Sequence, residues 1–154
     1  MKEQLMEAWH THNKMNYLLI DNTSDAGMQK SLSTRGGRTV YLQWVHIHIV
    51  RMQWLEICAK DIFKKYKVLD KDASFDKKAL KKYLEDSARG VEELLVRSWD
   101  DGGKVKGFKK GVIPMLSYFI SHESHHRGNI LLTLKQSGEK IPDAVKWGLW
   151  EWGK

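Results

Sequence analysis

The spacing of apolar residues constrains the fold of this chain more than any other feature. From Lys2 to about Asp21 they recur at intervals of three and four, which is the period of an amphipathic helix. Similar stripes follow Thr39 and Ser74, which are suitable N-caps, and a fourth begins near Pro114. No strand-like alternation of any length accompanies them, and the chain contains only two prolines. The pattern predicts an all-α fold, a four-helix bundle with long connections.

The length of 154 residues suits one domain over residues 1–154, and a domain of this size buries roughly 70% of the surface of its unfolded chain. The lone cysteine, Cys58, cannot form an internal disulfide and is interpreted as a packing residue on the second helix. No apolar run approaches the ~18 residues of a membrane span, and the N-terminus does not resemble a signal peptide. We therefore expect a cytoplasmic protein without a membrane partner.

The net charge of +7 raises the question of an anionic partner. The lysines occur in short runs such as Lys77-Lys78 and Lys81-Lys82, and no motif that reads a nucleic-acid groove accompanies them. We therefore expect no nucleic-acid partner and interpret most of the positive charge as a solvated surface.

A histidine-rich segment, 121–130, lies within the fourth predicted helix. His122 and His126 are i and i+4 neighbours, so their Cβ atoms lie about 5 to 6 Å apart and both rings can reach one metal ion. On a helical wheel His126 lies roughly 80° from the mean apolar direction, His122 roughly 120° and His125 roughly 180°. An HxxxH pair is common by chance, so a solvated surface is an equal alternative when the segment is considered alone.

The second helix adds a third histidine. With Trp44 taken as zero, His48 lies near ~40° among apolar neighbours, whereas His46 lies near ~200° on the solvent side. We therefore expect His48 to point into the bundle and His46 to face water. Bundle interiors build metal sites from facing helices, and three protein ligands with an open position are typical of a catalytic metal.

Several other polar residues also fall at inward positions. Arg51 lies one turn after His48 and needs an anionic partner, for which Glu123 is preferred over a substrate carboxylate. His12 and Asn16 lie on or beside the first stripe, where hydrogen-bonded core groups or helix-end groups are favoured over site residues. These positions predict polar contacts inside the bundle.

The connection over 22–37 is long for a compact domain, and long connections often cover a site. The segment 35–38, Arg-Gly-Gly-Arg, could bend over an anionic ligand, although two glycines before a helix more often supply only a turn.

The C-terminal segment 147–152 contains three tryptophans, which should dock on the bundle or on another subunit. On helix four, Tyr118 and Leu132 point away from the core, so two apolar groups are left for a partner or the tail to cover.

Three segments together resemble the DinB family of four-helix metalloenzymes: 44–48, with a histidine four residues after an aromatic residue, 122–128, and the tail 147–152. The resemblance implies a metal triad of His48, His122 and His126 and a divalent ion, with nickel or zinc expected. It also implies frequent homodimers and chemistry on a low-molecular-weight thiol, because related enzymes include a mycothiol-dependent isomerase and bacillithiol S-transferases. Asn129 departs from the glutamine that often follows the HRG motif, without affecting the ligands.

Together these expectations predict a metal-dependent enzyme that acts on a small molecule, either a thiol-dependent transferase of the bacillithiol type or a hydrolase. Arg51, Arg35 and Arg38 are the candidates to hold the acidic part of a thiol cofactor, on placement alone. The alternative is a non-catalytic, metal-binding dimeric interaction module, because the fold alone does not fix the function.

Overall fold

The computed structural model describes residues 1–33, 35–70 and 72–152. Four long helices form the bundle within these ranges: α1 (Lys2–Asp21), α3 (Val40–Cys58), α5 (Lys77–Asp100) and α6 (Val112–Gln136). Three short helices lie between or after them: α2 (Asp25–Met28), α4 (Lys60–Phe63) and α7 (Asp143–Gly148). The described residues form no β-strand, so the predicted all-α helical bundle is confirmed.

Side chains at the helix ends explain where the helices begin and stop. Thr39 caps α3 as predicted, because its Oγ1 accepts a hydrogen bond from the backbone N–H of Leu42. The predicted cap of α5 at Ser74 is wrong, since Asp76 accepts from the N–H of Ala79 at 2.9 Å and the helix starts later. Gly138 follows the end of α6 with a φ of 76°, a conformation that glycine adopts without strain.

The long helices run in two parallel pairs. The N-terminal halves of α1 and α6 share one apolar cluster with the C-terminal halves of α3 and α5, and the other halves share a second cluster. Hence α1 and α6 point one way, and α3 and α5 point the other. The segment 59–76 must therefore travel the length of the bundle to join the end of α3 to the start of α5, and we call it the crossover segment.

A buried polar layer separates the two apolar clusters. Every long helix contributes to it near its midpoint, and all its members are at least nine-tenths buried. The layer consists of His12, Asn13, Asn16, Arg51, Ser87, Glu123 and Arg127. Because buried polar groups are stable only when they are hydrogen-bonded, this layer restricts how the helices can be rotated and shifted against one another.

The ion pair between Arg51 and Glu123 lies at the centre of the polar layer. Arg51 Nε and Nη2 donate to the two carboxylate oxygens of Glu123 at 2.7 and 2.6 Å. Nη2 also donates to Asn13 Oδ1, and Nη1 donates to the backbone oxygen of Leu84. One guanidinium on α3 thus holds α6, α1 and α5, and the predicted pairing of Arg51 with Glu123 is confirmed.

His12 and its neighbours complete the layer. His12 Nε2 donates to Glu123 Oε2 at 2.7 Å, while its Nδ1 lies 3.5 Å from an Arg127 nitrogen, which can only donate. The two partners require a neutral ring protonated on Nε2, and burial lowers the pKa of His12 in agreement. Asn16 also donates to Glu123 and accepts from Arg127. The expectation that His12 and Asn16 are hydrogen-bonded core groups is confirmed.

The C-terminal segment docks on the bundle through aliphatic residues. Val145 and Leu149 are buried, whereas Trp147, Trp150 and Trp152 are 66%, 79% and 63% exposed. Of the two alternatives expected for the tryptophans, docking on their own bundle is not found, and docking on another subunit stays a prediction. None of the helices among the described residues combines the length and the apolar character needed to cross a bilayer.

Replacing Glu123 with glutamine should destabilise the fold strongly. The Glu123→Gln variant leaves Arg51 buried without a countercharge, and breaking a buried pair costs about 3 to 5 kcal/mol. Urea unfolding of the metal-free protein, followed by circular dichroism, measures the loss. Glu93→Gln is the matched control, because Glu93 pairs with Lys65 on the surface and its loss should leave the urea midpoint nearly unchanged. Equal stability of the two variants would contradict the central role of the pair.

Candidate metal centre

Two pairs of residues on α6 are offset by one position and face different surroundings. Glu123 and Arg127, spaced i and i+4, turn into the polar layer, where Arg51 and Asn16 bind them. His122 and His126 have the same spacing but precede them by one residue, which rotates them about 100° around the helix. The contacts of Glu123 and Arg127 therefore set the direction in which the histidines point.

That direction leads to His46 on α3. The ring centroid of His46 lies 5.3 Å from that of His122 and 4.8 Å from that of His126. One ring nitrogen of each histidine lies within 4.8 Å of the others, an arrangement that can hold a metal ion. Ligand nitrogens around a tetrahedral zinc lie about 3.4 Å apart, so small side-chain rotations suffice to close the cluster.

The structure does not bring His48 to this cluster. His48 is fully buried on another side of α3, where its Nε2 accepts a hydrogen bond from the backbone N–H of Leu69 and its ring packs against Tyr83. Leu69 belongs to the crossover segment, so His48 fastens that segment to the bundle. The structure thus brings His122 and His126 together as expected, but with His46 and not with His48.

The cluster suits a divalent ion chemically. Burial lowers the pKa of His46 and of His122, and burial with repulsion from His122 and His46 lowers that of His126 to about 4. All three rings are therefore neutral near pH 7, the form that binds metals. His122 Nδ1 is also buried without a hydrogen-bond partner within the described residues, as are His48 Nδ1 and Trp44 Nε1, so this feature supports the site only together with the geometry of the cluster.

Neighbouring side chains hold the rings of the cluster. Tyr118 stacks on His122 with its ring nearly parallel, at 5.8 Å, and it packs edge-on against Trp54. The expectation that Tyr118 points away from the bundle is therefore wrong, whereas Leu132 is 48% exposed as expected. Gln43 Oε1 lies 3.4 Å from His126 Nδ1. This amide is placed to orient the ring, which leaves Nε2 of His126 free to bind a metal ion.

The three arginines expected to hold a cofactor occupy different places. Arg51 is 1% exposed, and its donors are taken by protein groups, so the expectation that it binds a cofactor is wrong. Arg38 lies beside the cluster, where its charge contributes to lowering the pKa of His46 and His126. Arg35 is exposed and is not among the described residues that line the cavity next to His126.

The wheel analysis missed His46 for a physical reason. It assumes one apolar face per helix, but α3 is covered by the bundle on one side and by the crossover segment on another, so Val45, Ile47 and Val50 are all buried. The mean apolar direction of such a helix says little about which residue faces α6. Arg51 does not supply the missing signal, because on the same wheel it lies roughly 60° from His48 and roughly 140° from His46.

The fold and the site together define a helical bundle with a three-histidine cluster that can hold a metal ion. The sequence model of the DinB family matches residues 1–146, and the chain belongs to this family. No curated protein and no solved structure shows significant similarity to the chain.

Proposed function

We propose that this protein is a divalent-metal-dependent enzyme whose metal ligands are His46, His122 and His126. The observation that supports this most directly is the convergence of three neutral imidazoles from two helices. Imidazole donors suit zinc and nickel. Three protein ligands also leave a coordination position for a substrate, which is typical of catalytic sites and unlike closed structural ones.

The chain's own residues prepare this site before an ion arrives. Glu123 and Arg127 fix the rotation of α6, while Gln43 and Tyr118 hold the two α6 histidines. When bound, a divalent ion supplies Lewis-acid chemistry, because three neutral ligands leave its double charge intact to stabilise an anionic nucleophile.

We further propose thiol-dependent S-transfer as the reaction. Membership of the DinB family and the all-imidazole donor set support this choice. The thiol loses its proton to solvent, its sulfur forms a bond to an electrophilic carbon of the second substrate, and the leaving group departs from that carbon with the bonding electrons. Thiolates are the reactive form of thiols, and a site that stabilises them raises their fraction at neutral pH.

Substitutions of the two histidines of α3, His46 and His48, distinguish the proposed ligand set from the one expected from sequence. His46→Ala should reduce bound zinc or nickel from one equivalent per chain to a small fraction of an equivalent, because only two imidazoles remain to hold the ion. His48→Ala should retain the ion but destabilise the fold, because the Leu69 N–H loses its acceptor. Metal analysis of the purified, gel-filtered variants and urea unfolding measure the two effects.

His10→Ala is a further control, since His10 pairs with Glu92 on the surface and should affect neither property. Full metal content in His46→Ala, or its loss in His48→Ala, would contradict the proposed ligands.

Thiol transfer is tested with the metal-loaded protein, a panel of low-molecular-weight thiols and the electrophile 1-chloro-2,4-dinitrobenzene. At least one thiol should be consumed faster than in buffer, and His46→Ala should abolish the difference. Colorimetric thiol titration follows the reaction. If no thiol in the panel reacts faster and metal is bound, a hydrolase or a non-catalytic metal-binding module becomes the better description.

We also propose that the protein forms a homodimer through its C-terminal segment. Trp147, Trp150 and Trp152 are mostly exposed, and aromatic side chains of this size bury roughly 150 to 250 Å² each when covered. Three exposed aromatic side chains within one short segment are a feature typical of interaction sites. Beside them lies an apolar cavity of about 850 Å³ lined in part by Leu131 and Ile141, which could receive a partner's tryptophan.

Trp150→Glu should convert the dimer to a monomer, because a symmetric interface contains each substitution twice. Light scattering should report about 36 kDa for the wild type, twice the 18.0 kDa of one chain, and half of this for the variant, with metal content unchanged. A wild-type protein that is monomeric at micromolar concentration would refute the dimer.

A further inference from the structure

A small cavity lies directly beside the histidine cluster, between helix α6 and the residues Ser31, Leu32, Ser33 and Arg38. Its volume is about 320 Å³, within the range of sites that bind small molecules. Gln43 and His126 line it and also belong to the cluster or contact it, so a ligand in the cavity would adjoin the ion. Arg38 and Asn129 lie on the same walls.

Arg38 is a charged group without a partner in this cavity. Among the residues that the structure describes, none forms a hydrogen bond or an ion pair with its guanidinium. The described lining contains no carboxylate, and the acidic residue nearest in sequence to the histidines, Glu123, is buried and paired with Arg51. The guanidinium therefore has its donors available to a ligand, and it can bind a carboxylate through two parallel hydrogen bonds.

The local chain path brings Arg38 to this position. Gly37 passes so close to Ser33 that an added Cβ would lie 2.1 Å from the Ser33 Cβ, so the turn requires glycine there. The turn predicted for the Arg-Gly-Gly-Arg segment is thus present, and it separates the two arginines. Both arginines are exposed, but only Arg38 is among the described residues that line the cavity.

The charge of the whole site favours an anion. Three neutral ligands do not reduce the charge of a divalent ion, and Arg38 adds one further positive charge. At the rim, Leu132 and Leu32 are 48% and 43% exposed and offer apolar contact to a short carbon chain. A small molecule that carries a carboxylate a few bonds from its metal-binding atom matches both properties.

We infer that the cavity binds the carboxylate of a small organic substrate and that Arg38 is its ionic partner. This inference rests on the proposed metal-dependent function, since the other end of the same substrate would meet the ion. Arg38 is thereby a specificity-determining residue: it selects acidic over neutral substrates without taking part in holding the metal.

The test compares two thiols of equal size on the cobalt-loaded protein. The thiolate-to-cobalt absorption band reports binding of 3-mercaptopropionate and of its neutral amide, 3-mercaptopropionamide. The wild type should bind the carboxylate at least about tenfold more tightly than the amide, because a charge-assisted pair is stronger than a neutral contact. Arg38→Gln should lower the affinity for the carboxylate to that for the amide, and Arg38→Lys should restore part of it.

Arg35→Gln is the matched control, since it removes the same charge from the same segment without reaching the cavity. It should leave both affinities and the cobalt content unchanged, and Arg38→Gln should leave the cobalt content unchanged. Equal affinity for the two thiols in the wild type, or equal losses in both arginine variants, would overturn the inference while the metal site stands. Binding of neither thiol to the cobalt-loaded protein would overturn thiol transfer as well, and failure to bind cobalt would overturn both proposals.

Discussion

The ion pair between Arg51 and Glu123 is the interaction on which the rest of the structure depends. Two opposite charges in a protein interior are stable only when their remaining hydrogen-bonding groups are also satisfied. Here Asn13, Leu84 and His12 supply those partners from the other helices. The same contacts separate the core into two apolar clusters, so a shift of any long helix along its axis would break buried hydrogen bonds as well as disturb apolar packing.

The histidine cluster follows from this polar layer. A helix whose inward residues are Glu123 and Arg127 must present the residues one position earlier to the neighbouring face, and these are His122 and His126. The direction in which the two α6 histidines point is thus set by contacts of other residues of the same helix. This explains how a partly buried flank of the bundle can hold three imidazoles in one place, since the residues that orient α6 lie in its most buried part.

Much of this arrangement could be predicted from the sequence. Apolar periodicity predicted the long helices, and the need of a buried arginine for a countercharge predicted the pairing of Arg51 with Glu123. Two of the three clustered histidines followed from i, i+4 spacing. The third did not, because the choice between His46 and His48 depends on the path of the crossover segment, and a single-helix wheel contains no information about that path. The sequence also left open what the tryptophans of the tail contact, and in the structure Val145 and Leu149, not the tryptophans, dock α7 on the bundle.

The position of the cluster outside the polar layer separates metal loading from folding. In small zinc domains the ion gathers ligands that are otherwise disordered, so its removal unfolds the chain. In this protein the ordering of His122 and His126 is already achieved by the contacts of Glu123 and Arg127, which need no ion. Little of the free energy of metal binding is then spent on organising the site. Loss of an ion from such a site would therefore leave the shape of the bundle unchanged.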